Sequence, residues 1–450
     1  MPVQTNASSP PGYPLIGHWW NFERDRLGFL TQCYRQYGET TRLRIVVPTF
    51  LINNPNDIHH VLVAHAENYR KSRRITGRVG RRLFGRGLLT KRDAAHRRQR
   101  RLVQPVFHRD AIVVFVEAIN VHIEQMLAKW DAGSVVDLTA EMDRFAEDVL
   151  IRALVGDLGE NDRRRLSEAN RARRKFINHA FGSRFPFQQL LPTRLNWEYQ
   201  WAARNQKNII RELVSRARNG KIDPNSLLAQ MAAANTSQGD RLSDVDLFDE
   251  VWELLTAGYE TTRDTLTWAS YLMAKHPEGV ARLREEVGRV LGERPVRAED
   301  LPRLVYAEMF FSEAMRLFPP AWMFARIALD DDVLPSGVRV PAGSKVYLCQ
   351  YTAHRNEEFF PEPERFDPER FHADVRHTRP RFSYFPFGGG ERVCVAESLA
   401  RLEGVLVLSS LARRFDLALC PGQSVELVGA ITLRPRSSIR VAVRSVLASD

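Results

Sequence analysis

Phe387-Gly388-Gly389-Gly390-Glu391-Arg392-Val393-Cys394-Val395-Ala396 is the stretch from which the rest of this sequence is best read. Three consecutive glycines allow positive φ and let the backbone come close to a flat ligand. Downstream, Leu399, Leu402, Val405 and Leu406 recur at helical spacing, which predicts a helix over about 397–414. Cys394 then lies just ahead of a helix N-terminus, where unpaired N–H groups and the dipole favour a thiolate. Arg392, two residues earlier, offers a fixed cation to an anionic group. A flat ligand taken up through sulfur suits this loop. An inert buried cysteine after a Gly-rich turn is the plainer alternative.

Upstream, one helix dominates. Ser243 is a candidate N-cap, with Asp244 and Asp246 in the first turn to suit the dipole. The pattern runs to Lys275, before His276-Pro277 stops it. About thirty residues at 1.5 Å each give roughly 50 Å, enough to cross a domain, so its middle is expected to be buried. That middle reads Thr256-Ala257-Gly258-Tyr259-Glu260-Thr261-Thr262. A glycine, a carboxylate and hydroxyls are poor choices for a buried helix, and such a conflict often marks a functional site. The spacing of four puts Ala257 and Thr261 on one face and lets the Thr261 hydroxyl bond back to the carbonyl of 257.

Helical periodicity dominates from about 95 to 330. Residues 38–54 read as two short strands with a turn near Pro48, residues 337–350 as strand, and residues 424–446 as strand-like alternation. Residues 355–387, rich in Pro, Phe and Arg, read as a long ordered loop. The expected fold class is mainly α with a smaller β region (α+β). A single domain is expected over 1–450. Its β-rich lobe would take about 38–70, 336–350 and 424–446, and its α-rich lobe about 90–330 and 395–415.

Hydrophobic residues make up 44% of the 450 and charged residues 26%, the balance of a globular chain. The four cysteines lie far apart with no CxxC pair, which argues against a zinc finger or a disulfide framework and for a reducing interior. No long apolar run follows the Pro-rich leader, so no signal peptide or membrane anchor is expected, and the cytoplasm is the expected location. The net charge of +11 is uneven: fourteen Lys or Arg stand between Arg70 and Arg101, against Asp93 alone. One aromatic there, Phe84, does not make the interleaved base-stacking surface that nucleic acid would need. A solvated charged face accounts for most of the run, and an acidic protein partner or a substrate carboxylate for the remainder.

The loop around Cys394 resembles the haem-binding signature of the cytochrome P-450 family, Phe-x-x-Gly-x-Arg-x-Cys-x-Gly. It matches at Phe387, Gly390, Arg392 and Cys394, with Ala396 where Gly is usual. The resemblance implies that Cys394 ligates the iron of heme b (iron protoporphyrin IX). It also implies the family's fold, with the long central helix over the haem and the Cys loop beneath it. Such a thiolate pushes electron density onto iron and favours O–O cleavage. The 257–262 segment is similar to the family's oxygen-activation motif, small-Gly-x-acid-Thr. The resemblance implies that Thr261 steadies the oxygen being activated and that Glu260 helps relay protons. Peroxide-using relatives generally lack this pair, so O2 with delivered electrons is implied. A helix kink with a satisfied threonine is the bland alternative.

Glu313-Ala314-Met315-Arg316 is similar to the family's Glu-x-x-Arg. Spacing alone says nothing, since it recurs at Glu23/Arg26, Glu39/Arg42, Glu141/Arg144 and Glu286/Arg289. Its place before Leu317-Phe318-Pro319-Pro320 and Pro368-Glu369-Arg370-Phe371 is what fits. Glu313, Arg316 and Arg370 are implied to form a buried network that fixes the Cys loop. For the haem propionates the implied cations are Arg392, Arg326, and His96 with Arg100. The last two come from a segment similar to the family's Trp-x-x-x-Arg, with His96 replacing Trp, and at i and i+4 they share a face. Lys71 is a further candidate. Arg97, Arg98 and Arg101 are expected to face outward.

With its motifs in family order, the chain is identified as a soluble, bacterial-type member. The implied activity is insertion of one oxygen atom from O2 into a lipophilic organic substrate, by hydroxylation or epoxidation. The chain ends close behind Cys394, so electrons are expected from a separate ferredoxin or flavodoxin and its reductase, and a monomer is expected. Two alternatives keep the haem: a peroxide isomerase or dehydratase, and a non-catalytic haem sensor. Substrate contacts are expected near 72–90, 254–261, Trp322-Met323-Phe324 and Ala430-Ile431. A fatty acid, terpenoid, steroid or macrocycle are all compatible with them.

Overall fold

The computed structural model describes residues 7–182, 193–236 and 239–446. The chain forms two compact units. One comprises Met1–Arg73, Ser312–Cys394 and Leu427–Arg434; the other Arg74–Phe311, Val395–Glu426 and Pro435–Asp450.

The first unit is built on a five-stranded sheet. In order, its strands are Thr40–Ile45, Val47–Ile52, Lys345–Leu348, Phe324–Ala328 and Tyr69–Lys71. Only the second and third run parallel. The hairpin turns at Val46, which takes φ +70° between paired Ile45 and Val47. Pro48, expected in the turn, instead lies exposed within the second strand opposite Arg44, one residue ahead of where that strand begins to pair with Lys345–Leu348. Alternation along the sheet fills both faces. Phe50, Ile52, Val346 and Leu348 pack with Ile58, Leu62, Phe382 and Phe385. Leu51 and Tyr347 pack on the other face with Phe22, Leu30 and Trp322. Trp322 is therefore core, its Nε1 donating to the Ala430 carbonyl at 3.1 Å, and not the substrate contact expected.

The 355–387 loop is ordered around one buried ion pair. Arg316 and Glu313 have no exposed side-chain surface. The Arg316 Nε and Nη2 donate to the two Glu313 oxygens at 2.6 and 2.8 Å. Nη1 serves the carbonyls of His354 and Pro363, and Nη2 also serves that of Arg365. All five guanidinium N–H groups are thus used. Arg370 joins at 3.7 Å from Glu313, whose Oε1 also accepts the Asp367 amide. Three stretches of chain, 313–316, 354 and 363–370, converge on this pair.

The second unit is helical. Its axis is the helix Asp244–Lys275, 32 residues long, started by a reciprocal Ser243/Asp246 capping box. Leu138–Val155 packs along it, Glu160–Gly182 pairs with Arg194–Arg218, and Pro277–Leu291 pairs with Glu397–Arg414. A small antiparallel sheet of Val135–Asp137, Arg440–Ser445 and Phe415–Leu419 completes the unit. Asp249, Glu250 and Glu253 are buried on the long helix because they accept the backbone amides of Arg86, Leu88 and Leu89. No helix among the described residues is long and apolar enough to cross a membrane.

Arg316→Leu leaves the Glu313 carboxylate buried without its counter-ion. It is expected to cost about 3–5 kcal/mol in chemical denaturation of the folded protein. A loss below about 1 kcal/mol would show that the pair is not an organising contact.

Candidate active site

The three glycines of the Cys loop are there for different reasons. Gly388 and Gly390 take φ +77° and +63°, the left-handed region. Gly389 is extended, but a Cβ there would sit 2.4 Å from the Phe382 ring, and one on Gly390 would sit 2.0 Å from the Leu62 carbonyl oxygen. The loop closes through Val393 N to Gly390 O at 3.1 Å and Cys394 N to Phe387 O at 2.9 Å. The next helix, Glu397–Arg414, begins at the boundaries the sequence predicts. Of the four cysteines Cys394 alone is exposed. Cys33 and Cys349 are buried, which pushes the Cys33 thiol up to about 12 and raises Cys349 as well, so both are inert.

Arg326 lies on the strand Phe324–Ala328 with 7% of its surface exposed. Burial, and then the charge of Arg392, push it down to about 10. Its Nη1 donates to the Ala325 carbonyl and its guanidinium lies 4.8 Å from the Phe324 ring centroid. Among the described residues no carboxylate pairs with it. Lys71 is its direct partner on the adjacent strand. Cations facing each other across a ladder are destabilising unless an anion joins them. An exposed thiol on a loop whose glycines at 389 and 390 leave no room for a Cβ, together with a buried arginine, Arg326, that no carboxylate pairs among the described residues, fits a haem with its propionates.

In the second unit, the helix Asp93–Val103 buries His96 and leaves Arg100 half-buried, with Nε on the Gln104 side chain at 3.0 Å. Arg97 and Arg101 are exposed as expected. Arg98 is not a free outward cation. It lies 3.7 Å from Asp240 and 3.8 Å from Asp246, and Lys91 lies 2.5 Å from Asp246. The capping end of the long helix thus neutralises part of the basic stretch.

The middle of the long helix is not buried all round, contrary to expectation. Ala257 is exposed and Gly258 and Thr261 are half-exposed, forming an open stripe between the buried stretches 249–255 and 263–270. The Thr261 hydroxyl donates to the Ala257 carbonyl at 2.7 Å. Glu260, one residue away, turns inward, 6% exposed, and accepts from Asn178 at 2.8 Å. Around it, Arg174 bonds Asp143 and the Tyr259 hydroxyl, and Arg263 lies 3.4 Å from Asp143. Asn178 and Asp143 carry no motif and could not be found from sequence. Glu403 could have been: it is an acid within the apolar run 399–411. It is buried, accepts from Thr262 at 3.2 Å, and burial raises it to about 7.

Comparison with known proteins agrees with this geometry. The Cytochrome P-450 family model matches residues 8–439. Cyclooctatin synthase of Streptomyces melanosporofaciens is 34% identical over 93% of this chain and 91% of its own length. Pentalenene oxygenase of Streptomyces avermitilis is 29% identical, over 95% and 94%. Cyclooctat-9-en-7-ol 5-monooxygenase of Streptomyces melanosporofaciens is 30% identical, over 94% and 91%. Among solved structures, a retinoic acid bound cyanobacterial CYP120A1 superposes with a TM-score of 0.86 at 25% identity, over 98% of this chain and 99% of that one. Fold and loop define a haem-thiolate protein. The chain belongs to the cytochrome P-450 family; it is a monooxygenase with haem as its cofactor, and its fold is the mixed α and β fold of that family.

Glu403 makes a pH prediction. The unfolded carboxyl releases its proton near 4.5 and the folded one near 7, so the folded state binds more protons between these values. Stability is expected to fall as pH rises through that window, by at most about 3 kcal/mol. Glu403→Gln is expected to flatten the slope, read by chemical denaturation on either side of the window. An unchanged slope would assign the pH dependence elsewhere.

Proposed function

We propose that this monooxygenase hydroxylates or epoxidises a lipophilic cyclic alkene or alkenol, with electrons from a separate ferredoxin or flavodoxin and its reductase. The names of the pentalenene and cyclooctat-9-en-7-ol enzymes denote an alkene and an unsaturated alcohol, which supports that substrate class. Residues 1–450 act as one catalytic domain, as a monomer in the cytoplasm.

The observation that carries the reading is the divergence of Thr261 and Glu260. One places a hydroxyl on an open stripe; its neighbour places a carboxylate inside. Bound haem supplies the oxygen activation. Cys394 would hold its iron, and Arg392, Arg326, Lys71, His96 and Arg100 would receive the propionates. Because the Thr261 proton is engaged by the Ala257 carbonyl, its oxygen offers lone pairs and accepts a hydrogen bond at the reacting centre. Glu260 relays protons from the polar cluster of Asn178, Arg174 and Asp143. This acid–alcohol pair favours O2 chemistry over peroxide isomerisation and over passive sensing. The exposed Arg97 and Arg101 steer an acidic donor.

A carbon monoxide difference spectrum of the reduced protein tests the ligation. Cys394→Ala is expected to lose the long-wavelength thiolate band and all turnover, and retention of both refutes the assignment. Thr261→Ala is expected to keep consuming electrons while product per electron falls by about tenfold or more, with peroxide released. Unchanged coupling would reduce that hydroxyl to a structural role. Reversing charge at both Arg97 and Arg101 is expected to slow electron delivery at low salt and weaken its salt dependence. Equal rates and equal salt slopes would place the donor on another face.

A further inference from the structure

We propose that His60, His65 and Asp332 form a binding site for one divalent transition-metal ion of the zinc type, in the unit that carries Cys394. The site does not depend on the assignment of the substrate or the electron donor.

His60 and His65 are brought together by an unusual turn. Residues His60–Ala64 form a π-helical turn, closed by His65 N to the His60 carbonyl at 2.8 Å. On an α-helix, residues five apart point about 140° away from each other. Here their rings stack, with centroids 4.1 Å apart and planes 26° apart. Asp332 arrives from the short strand Asp332–Val333, paired with Arg339–Val340. Its Oδ2 is 2.9 Å from His60 Nε2 and 3.8 Å from His65 Nδ1. One ligand atom from each of the three residues lies within 4.8 Å of the other two. A tetrahedral ion with ligands at about 2.0–2.2 Å needs separations of roughly 3.3–3.5 Å. Closing on an ion means that the His60–Asp332 contact of 2.9 Å opens slightly while His65, whose side chain is 53% exposed and able to move, swings closer to both.

The remaining groups fit a metal better than a simple hydrogen bond. A His–Asp pair would account for His60 alone. It would not account for a second imidazole stacked on the first, nor for the π turn that puts it there, a rare feature concentrated at functional sites. Asp332 is held by two further contacts: the Tyr69 phenol donates to Oδ2, the oxygen that faces the histidines, and the Val333 amide to Oδ1, each at 2.8 Å. Such outer contacts orient a ligating carboxylate. Two imidazoles and one carboxylate select zinc, copper, nickel or cobalt over calcium or magnesium, and leave a fourth position for water. The turn also carries Leu62, whose carbonyl abuts Gly390 so closely that a Cβ there would lie 2.0 Å away. An ion at this site would therefore brace the turn against which the Cys loop rests.

The test is calorimetric titration of the chelator-stripped holoprotein with Zn2+. One ion per chain is expected, undisturbed by excess Mg2+ or Ca2+. His65→Ala changes an exposed residue and is expected to weaken binding by at least about tenfold, and Tyr69→Phe by about tenfold. His65→Cys, which restores a zinc ligand, is expected to recover it. Equal binding by the wild type and His65→Ala, or no stoichiometric site in the wild type, would overturn the proposal. Because the readout is heat and not turnover, failure here is separate from failure of the haem assignment.

Discussion

A guanidinium sealed from water has no cheap alternative to being fully bonded. Arg316 is such a group, and its obligations organise the Cys394-bearing unit. Glu313 takes two of its N–H groups, and the carbonyls of His354, Pro363 and Arg365 take the others. His354 carries the constraint onward. Burial, then the charges of Arg316 and Arg355, hold its imidazole well below its usual value, so it stays neutral. Its Nε2 accepts the amide of Phe385, two residues before the Cys loop begins. A long loop that holds only short helical turns is thereby tied to the buried ion pair at several points.

Placing acid and alcohol side by side in the long helix serves two surroundings at once. Adjacent helical residues point in different directions, and the chain uses this to keep one group open and the other enclosed. The enclosed side is a dense alternation of charges: Asp143, Arg174, Arg263 and Glu260, with Tyr259 between two arginines. Buried charge of both signs is tolerable only when paired, and this cluster is closely paired.

Much of the fold was legible because strong local signals coincide with tertiary need. The Ser243 cap, the stop at His276-Pro277 and the stripe from Leu399 gave helix limits that the structure reproduces. Pro48 misled because a proline is tolerated at an exposed strand position ahead of the pairing with Lys345–Leu348, while Val46 took the strained turn that sequence propensity assigns to glycine. Trp322 misled because an aromatic near the expected substrate region fills a core as readily as a pocket. Arg98 misled because its acidic partners, Asp240 and Asp246, lie far along the chain. The same holds for Asn178 beside Glu260: contacts made by residues without a motif, from separate helices, leave no trace in spacing. Glu403 did leave one, an acid inside an apolar run.

The crowding around Gly389 and Gly390 also constrains how this sequence can change over generations. Each position is dictated by a separate neighbour, Phe382 in one case and the Leu62 backbone in the other. A side chain gained at 389 demands a smaller ring at 382. At 390 no side-chain exchange can compensate, because the obstacle is main chain. Drift at the first position is therefore expected to occur in linked pairs, while the second is frozen unless the whole turn at 60–64 is remodelled.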